Sequence, residues 1–136
     1  MNEPEVVREM LGGRTIAVVG LSDNPQRASN YVAAYMKEQG YTIYPVNPAI
    51  VSALGERSYG SLAELPVKPD VVNVFRLPAT LPGIVDEMVA LGLKNLWAQQ
   101  GIVNLEAAET AEKAGIKVVM DKCVMVEHMG RGVGRE

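Results

Sequence analysis

At 136 residues, 48% hydrophobic and 21% charged, the chain has the size and balance of one globular domain, which excludes a disordered protein. A net charge of −3 with scattered arginines leaves no basic field for nucleic acid, and no apolar run is long enough to cross a bilayer. The acidic start Met1-Asn2-Glu3-Pro4-Glu5 lacks the regions of a signal peptide, and the single cysteine, Cys123, has no internal disulfide partner; both predict a cytoplasmic protein.

Val6, Val7, Met10 and Leu11 make the apolar face of a lead-in helix ending at Gly12-Gly13. If exposed, that face supports a homodimer; the sequence specifies no other protein partner. Thr15-Ile16-Ala17-Val18-Val19 is a continuous apolar run ending at Gly20, the pattern of a strand covered on both faces. Val32, Tyr35 and Met36 predict a helix stopped near Gly40, and Tyr41 to Val46 a second strand. Ser61-Leu62-Ala63-Glu64 has capping-box spacing for a short helix before Pro66.

A third strand is expected over Val71 to Phe75. Leu81, Ile84, Val85 and Met88 then form a helical stripe, with Pro82 in the first turn and Gly92 at the end. Asn95 to Ala98 reads as the fourth strand. Asn104 is the expected N-cap of a helix that turns Leu105, Ala108 and Ala111 to the sheet and stops at Gly115. Lys117 to Met120 reads as the fifth strand. None of these runs alternates with period two, which predicts an α/β fold: one doubly wound, Rossmann-like parallel five-stranded sheet with helices on both faces. The expected strand order is 3-2-1-4-5. The domain spans 1–129, lead-in helix 1–13 included, and 130–136 reads as a flexible tail.

In such a sheet, ligands bind beyond the C-terminal ends of the strands. Those ends deliver Gly20-Leu21-Ser22, Asn47-Pro48, Arg76-Leu77-Pro78, Gln99-Gln100-Gly101 and Asp121-Lys122-Cys123 to one rim. Gly20 permits a tight turn into a helix whose N-terminal N–H groups attract anions, and Ser22, Arg27 and Ser29 add donors around it. A pyrophosphate fits that description. So does a purely structural turn, with Ser29 capping the helix and Arg27 solvated. Gly20-Leu21-Ser22-Asp23-Asn24-Pro25 is not G-x-G-x-x-G, and Asn47 stands where a dinucleotide site wants an acid, so NAD is disfavoured. No Walker lysine motif supports nucleoside triphosphate chemistry.

Val18-Val19-Gly20-Leu21-Ser22, Pro25-Gln26-Arg27-Ala28-Ser29, Pro45-Val46-Asn47-Pro48, Asp70 to Arg76, Trp97-Ala98-Gln99-Gln100-Gly101 and Asp121-Lys122-Cys123 occur in that order. Together they resemble the small stand-alone coenzyme A-binding domain proteins, which are similar to the N-terminal domain of the succinyl-CoA synthetase α subunit. The resemblance covers nearly the whole chain and implies a Rossmann-like fold and a coenzyme A or acyl-CoA ligand. It implies that Gly20, Leu21 and Ser22 pack against the pyrophosphate, with Arg27 and Ser29 as phosphate donors. Asn47 and Pro48 would border the adenine or its ribose phosphate. Phe75, Arg76 and Pro78 would flank the cofactor, with Trp97 and Gln99 towards the pantetheine end. Leu77 departs from it, standing where a polar or basic residue is expected. The synthetase's phosphohistidine lies in a second domain and its ATP-grasp machinery in the β subunit, so the resemblance is to the cofactor-holding part alone.

Cys123 and His128, with Asp121, admit a nucleophile–base reading, but no nucleophile motif surrounds them; a packed cysteine and a hydrogen-bonded histidine read more strongly. On the predicted rim, Cys123 is also placed for a mixed disulfide with the cofactor thiol. For Trp97 core packing is the default role, and for Arg76 an edge salt bridge stands against anion binding. No Cys/His/carboxylate cluster has metal-ligand spacing. The expectation is therefore a non-catalytic module, carrier or sensor. The rivals are a nicotinamide-dependent oxidoreductase and an interaction domain that has lost its ligand.

Overall fold

The structure is a computed structural model, and it describes residues 1–131. Burial on both faces puts β1 (Thr15–Val19) in the interior of the sheet, where it pairs in parallel with β2 (Thr42–Val46) and β3 (Val71–Val74). Beyond β3 lie β4 (Asn95–Ala98) and β5 (Lys117–Val119), also parallel. The order is β2-β1-β3-β4-β5. This corrects the expected 3-2-1-4-5, in which the second strand was interior. Pro45 is the reason. Its carbonyl accepts from Tyr59 N on the outer side of β2, so its missing N–H also falls on that side, where an edge strand tolerates it.

The two faces have separate cores. Ala17, Val19, Val72, Val74, Leu96 and Val118 meet α3 (Leu81–Leu91) and α4 (Leu105–Lys113). Ile16, Val18, Val71, Trp97 and Val119 meet α1 (Pro4–Leu11), α2 (Ala28–Glu38) and α5 (Val124–Arg131). Val7, Met10 and Leu11 of α1 are buried in this second core, so the face expected to serve a homodimer is already covered within the chain. Asn104 caps α4 by accepting from Ala107 N at 3.0 Å. The face of α4 is Ala107, Ala108 and Ala111, however, and Leu105 is exposed in the first turn. Gly92 ends α3 in the left-handed conformation, at φ 72°.

Between β2 and β3 runs a small antiparallel hairpin, Ser52–Ala53 with Glu56–Arg57, followed by a single 3-10 turn, Leu62–Glu64. That turn is the expected short helix, without a side-chain cap at Ser61. Asp70 locks the starts of β1 and β3: its Oδ2 accepts from Arg14 N (2.7 Å) and Thr15 N (3.1 Å), and its N–H donates to Thr15 Oγ1 (2.8 Å). At the far edge Asn2 extends the sheet. Its N–H donates to Val118 O (3.0 Å), and its side chain exchanges two bonds with the Met120 backbone. Gly130 and Arg131, expected in the tail, close α5; 132–136 lie outside the described residues. No described helix is long and apolar enough to cross a membrane.

Candidate functional site

The loop leaving β1 is held by its own side chains. Ser22 Oγ accepts from Asn24 N (3.0 Å), and Asn24 Oδ1 from Gln26 N (3.0 Å). Ser22 N donates to Ser29 Oγ (2.9 Å), and Asn30 Nδ2 to Ser22 O (2.8 Å). Ser29 therefore ties the loop to the second position of α2 and does not cap the helix; the N-cap is Arg27, with no side-chain cap. At Gly20 the chain turns with φ 89°, and a Cβ there would stand 2.6 Å from Phe75 O. Leu21, the next residue, is wholly buried and faces the core rather than the rim.

This arrangement leaves donors pointing outward. Among the described residues, no acceptor meets the first-turn N–H groups of Ala28 and Ser29, and α2 has no acidic residue in that turn. Arg27 is exposed, with no carboxylate within 4.0 Å among the described residues. Gly20, Ser22, Arg27, Ala28, Ser29 and Phe75 line a hollow of about 350 Å³ over this helix end. Helix dipole and guanidinium both make it positive.

Asn47 joins the ends of three strands. Its Nδ2 donates to Leu21 O (3.0 Å), and its Oδ1 accepts from Ala49 N (2.9 Å) and from Arg76 Nη2 (3.3 Å). Its carbonyl also accepts from Ser58 Oγ (2.8 Å). Asn47 is thus a buried latch whose amide is engaged by protein. An ionised aspartate has no donor for Leu21 O, which accounts physically for the missing acid. The latch holds Arg76 across Gly20, between two cavities. One, of about 200 Å³, is bordered by Val46, Pro48, Ser61 and Glu87. The other is a groove of about 680 Å³.

One wall of the groove is Phe75, Arg76, Leu77 and Pro78; Gln99, Gln100, Gly101 and Ile102 form its base. Opposite stand Tyr31 and Val32 of α2, with Cys123, Met125 and Val126 at the start of α5. Gln99 is buried, and its Oε1 accepts from Asn73 Nδ2 (3.2 Å) and Val124 N (3.0 Å), fixing α5 against the sheet. Asp121, at φ 62°, accepts from Gly101 N (2.7 Å) and ties the last two rim loops together.

Trp97 lines none of these cavities. It is wholly buried on the opposite side of β4 from α3 and α4, its indole N–H donating to Lys122 O (2.8 Å). Cys123 lines the groove, whereas His128 lies buried beside Tyr35 and Tyr41, with Tyr35 OH 2.8 Å from its Nδ1. No group of three or more metal-binding side chains occurs among the described residues. Sequence reasoning missed Tyr31, Ile102, Met125 and Val126. The available signal was that Tyr31 falls off the apolar stripe of its helix.

Residues 14–129 match the family model described as the CoA binding domain. The chain belongs to this CoA-binding domain family. Among relatives of this CoA-binding domain is the uncharacterized protein YneT of Bacillus subtilis (strain 168). It is 42% identical over 127 residues, which is 93% of this chain and 94% of YneT. The solved structure of cell-free ID.343 from Thermus thermophilus is 40% identical, with a TM-score of 0.88 over 96% of this chain and 98% of that one. The ADP-forming acetate–CoA ligase I of Archaeoglobus fulgidus is 26% identical over 121 residues, 82% of this chain but 18% of the ligase.

Proposed function

We propose that this CoA-binding domain holds coenzyme A or an acyl-CoA in the cytoplasm as a non-catalytic module, a carrier or sensor. The observation that carries the reading is the positive hollow at the α2 N-terminus. Two unmet backbone N–H groups, Arg27 and the Gly20 turn offer a diphosphate charge-assisted hydrogen bonds and close approach. Gly20, Ser22, Arg27 and Ser29 would hold the diphosphate. Pro48, backed by Asn47, would border the adenosine, and Phe75, Arg76, Pro78 and Gln99 would lie along the pantetheine arm. Leu21 and Trp97 contribute packing beneath these groups. The bound cofactor would supply a thiol able to carry an acyl group. The ligase match supports a module, since this chain corresponds to 18% of that larger enzyme.

Calorimetry with coenzyme A, dephospho-coenzyme A, acetyl-CoA, NAD and AMP tests the proposal. Coenzyme A is expected to bind more tightly than NAD. Arg27→Ala is expected to weaken it about tenfold, the worth of one exposed charge-assisted hydrogen bond, while leaving the melting temperature unchanged. NAD binding more tightly than coenzyme A, or no binding by any of these ligands, would overturn the proposal.

A further inference from the structure

The groove along the proposed pantetheine arm is wide and lined largely by apolar side chains. Its volume, about 680 Å³, lies in the range in which proteins enclose a whole drug-sized ligand. It adjoins the phosphate hollow, with which it shares Ala28 and Phe75 as lining. Arg76 is the only charged residue among its described lining, and it is held beside Gly20 by Asn47. Elsewhere Tyr31, Leu77, Ile102, Met125 and Val126 present aromatic and aliphatic surface. Leu77 is 76% exposed, Val126 53% and Tyr31 50%. Single exposed apolar side chains are ordinary; three around one cavity form a patch that a ligand would cover.

We infer that the ligand is a CoA thioester whose acyl group is uncharged, apolar and several carbons long, lying against Leu77, Val126 and Tyr31. The inference rests on the proposed coenzyme A binding and narrows it. A free thiol leaves these walls in water. An acyl group ending in a carboxylate would bring its charge onto a surface whose one cation, Arg76, is drawn towards Asn47.

The test is a calorimetric series of coenzyme A, butyryl-, hexanoyl-, octanoyl- and succinyl-CoA, kept below micelle-forming concentrations. A fully buried methylene tightens binding about fourfold, and a groove open on one side covers about half of it. Each two-carbon step should then gain about fourfold, and octanoyl-CoA should bind roughly fifteenfold more tightly than butyryl-CoA. Succinyl-CoA, with the carbon count of butyryl-CoA and a carboxylate tip, should bind more weakly than butyryl-CoA. Val126→Asp, at an exposed position of α5, should flatten the series to within about twofold.

Octanoyl-CoA binding no better than butyryl-CoA, or succinyl-CoA binding as tightly as butyryl-CoA, would overturn the inference while coenzyme A binding stands. An undiminished series in a normally melting Val126→Asp would remove the acyl chain from this groove. Failure of coenzyme A and every thioester to bind would overturn both readings.

Discussion

Gly20 and Gly101 both turn with positive φ, at 89° and 84°, in opposite surroundings. A Cβ at Gly101 meets nothing within 4 Å, whereas at Gly20 it meets Phe75 O at 2.6 Å and Arg76 at 3.2 Å. Gly101→Ala therefore costs only the left-handed conformation, about 1–2 kcal/mol. Gly20→Ala incurs that cost and must also displace a backbone carbonyl, for about 1–3 kcal/mol more, as in overpacked cores. Urea unfolding reads both, with the fluorescence of Trp97 as the signal because that ring is wholly buried in the folded state. With a slope of about 2 kcal/mol per molar urea, Gly20→Ala is expected to unfold about 1 M earlier than Gly101→Ala. Equal midpoints would refute the claim that the close approach of β1 and β3 reserves position 20 for glycine.

Asn47→Ala strips Leu21 O of its donor and releases Arg76, and is expected to cost about 2–3 kcal/mol and to weaken coenzyme A binding. Urea melts with calorimetry check it; a loss under about 1 kcal/mol with unchanged affinity would refute the latch. The Asp70 carboxyl is held below its ordinary pKa, chiefly by the Arg14 N–H and further by hydrogen bonds from Thr15. Its ionised form thus stabilises the fold fully above the unfolded aspartate pKa, and that contribution is lost as pH falls through the depressed folded value. The stability gap between wild type and Asp70→Asn should be under about 1 kcal/mol near neutrality, because the carboxylate is exposed, and should close in acid. Urea melts across that range check the sign, and a gap that widens in acid would refute it.

Burial on both faces made the strands readable: Thr15 to Val19 has no polar side to disguise it from a period-two pattern. Strand order depends on which side of β1 a crossover returns to, and crossover length carries no trace of that. Pro45 did carry a trace, because a residue without an N–H belongs at an edge. The hairpin at Ser52–Ala53 and Glu56–Arg57 is too short to establish any periodicity, and α5 passed unread because Cys123 and His128 drew a chemical reading instead. At the rim, Gly20, Ser22 and Arg27 were legible since a turn entering a helix announces itself locally. Asn47 was placed on the rim as well, but its role as a latch was not legible, because its partners Leu21 and Arg76 lie 26 and 29 residues away in sequence. Trp97 is adjacent to the rim in sequence, yet its side chain points to the α2 and α5 core.

Asn2 clasps the end of β5 across a separation of 118 residues. During synthesis, Asn2 leaves the ribosome well before its partner at Met120 has been made, and almost all of the described domain is translated in between. The three central strands and α2 can gather while the chain is still growing; the outer edge of the sheet waits. Closing so long a loop is slow rather than prohibitive, since its entropic cost rises only with the logarithm of length. The outermost rung of the sheet thus waits for the end of the domain, and until it forms the β5 edge stays open to pairing with a neighbouring chain.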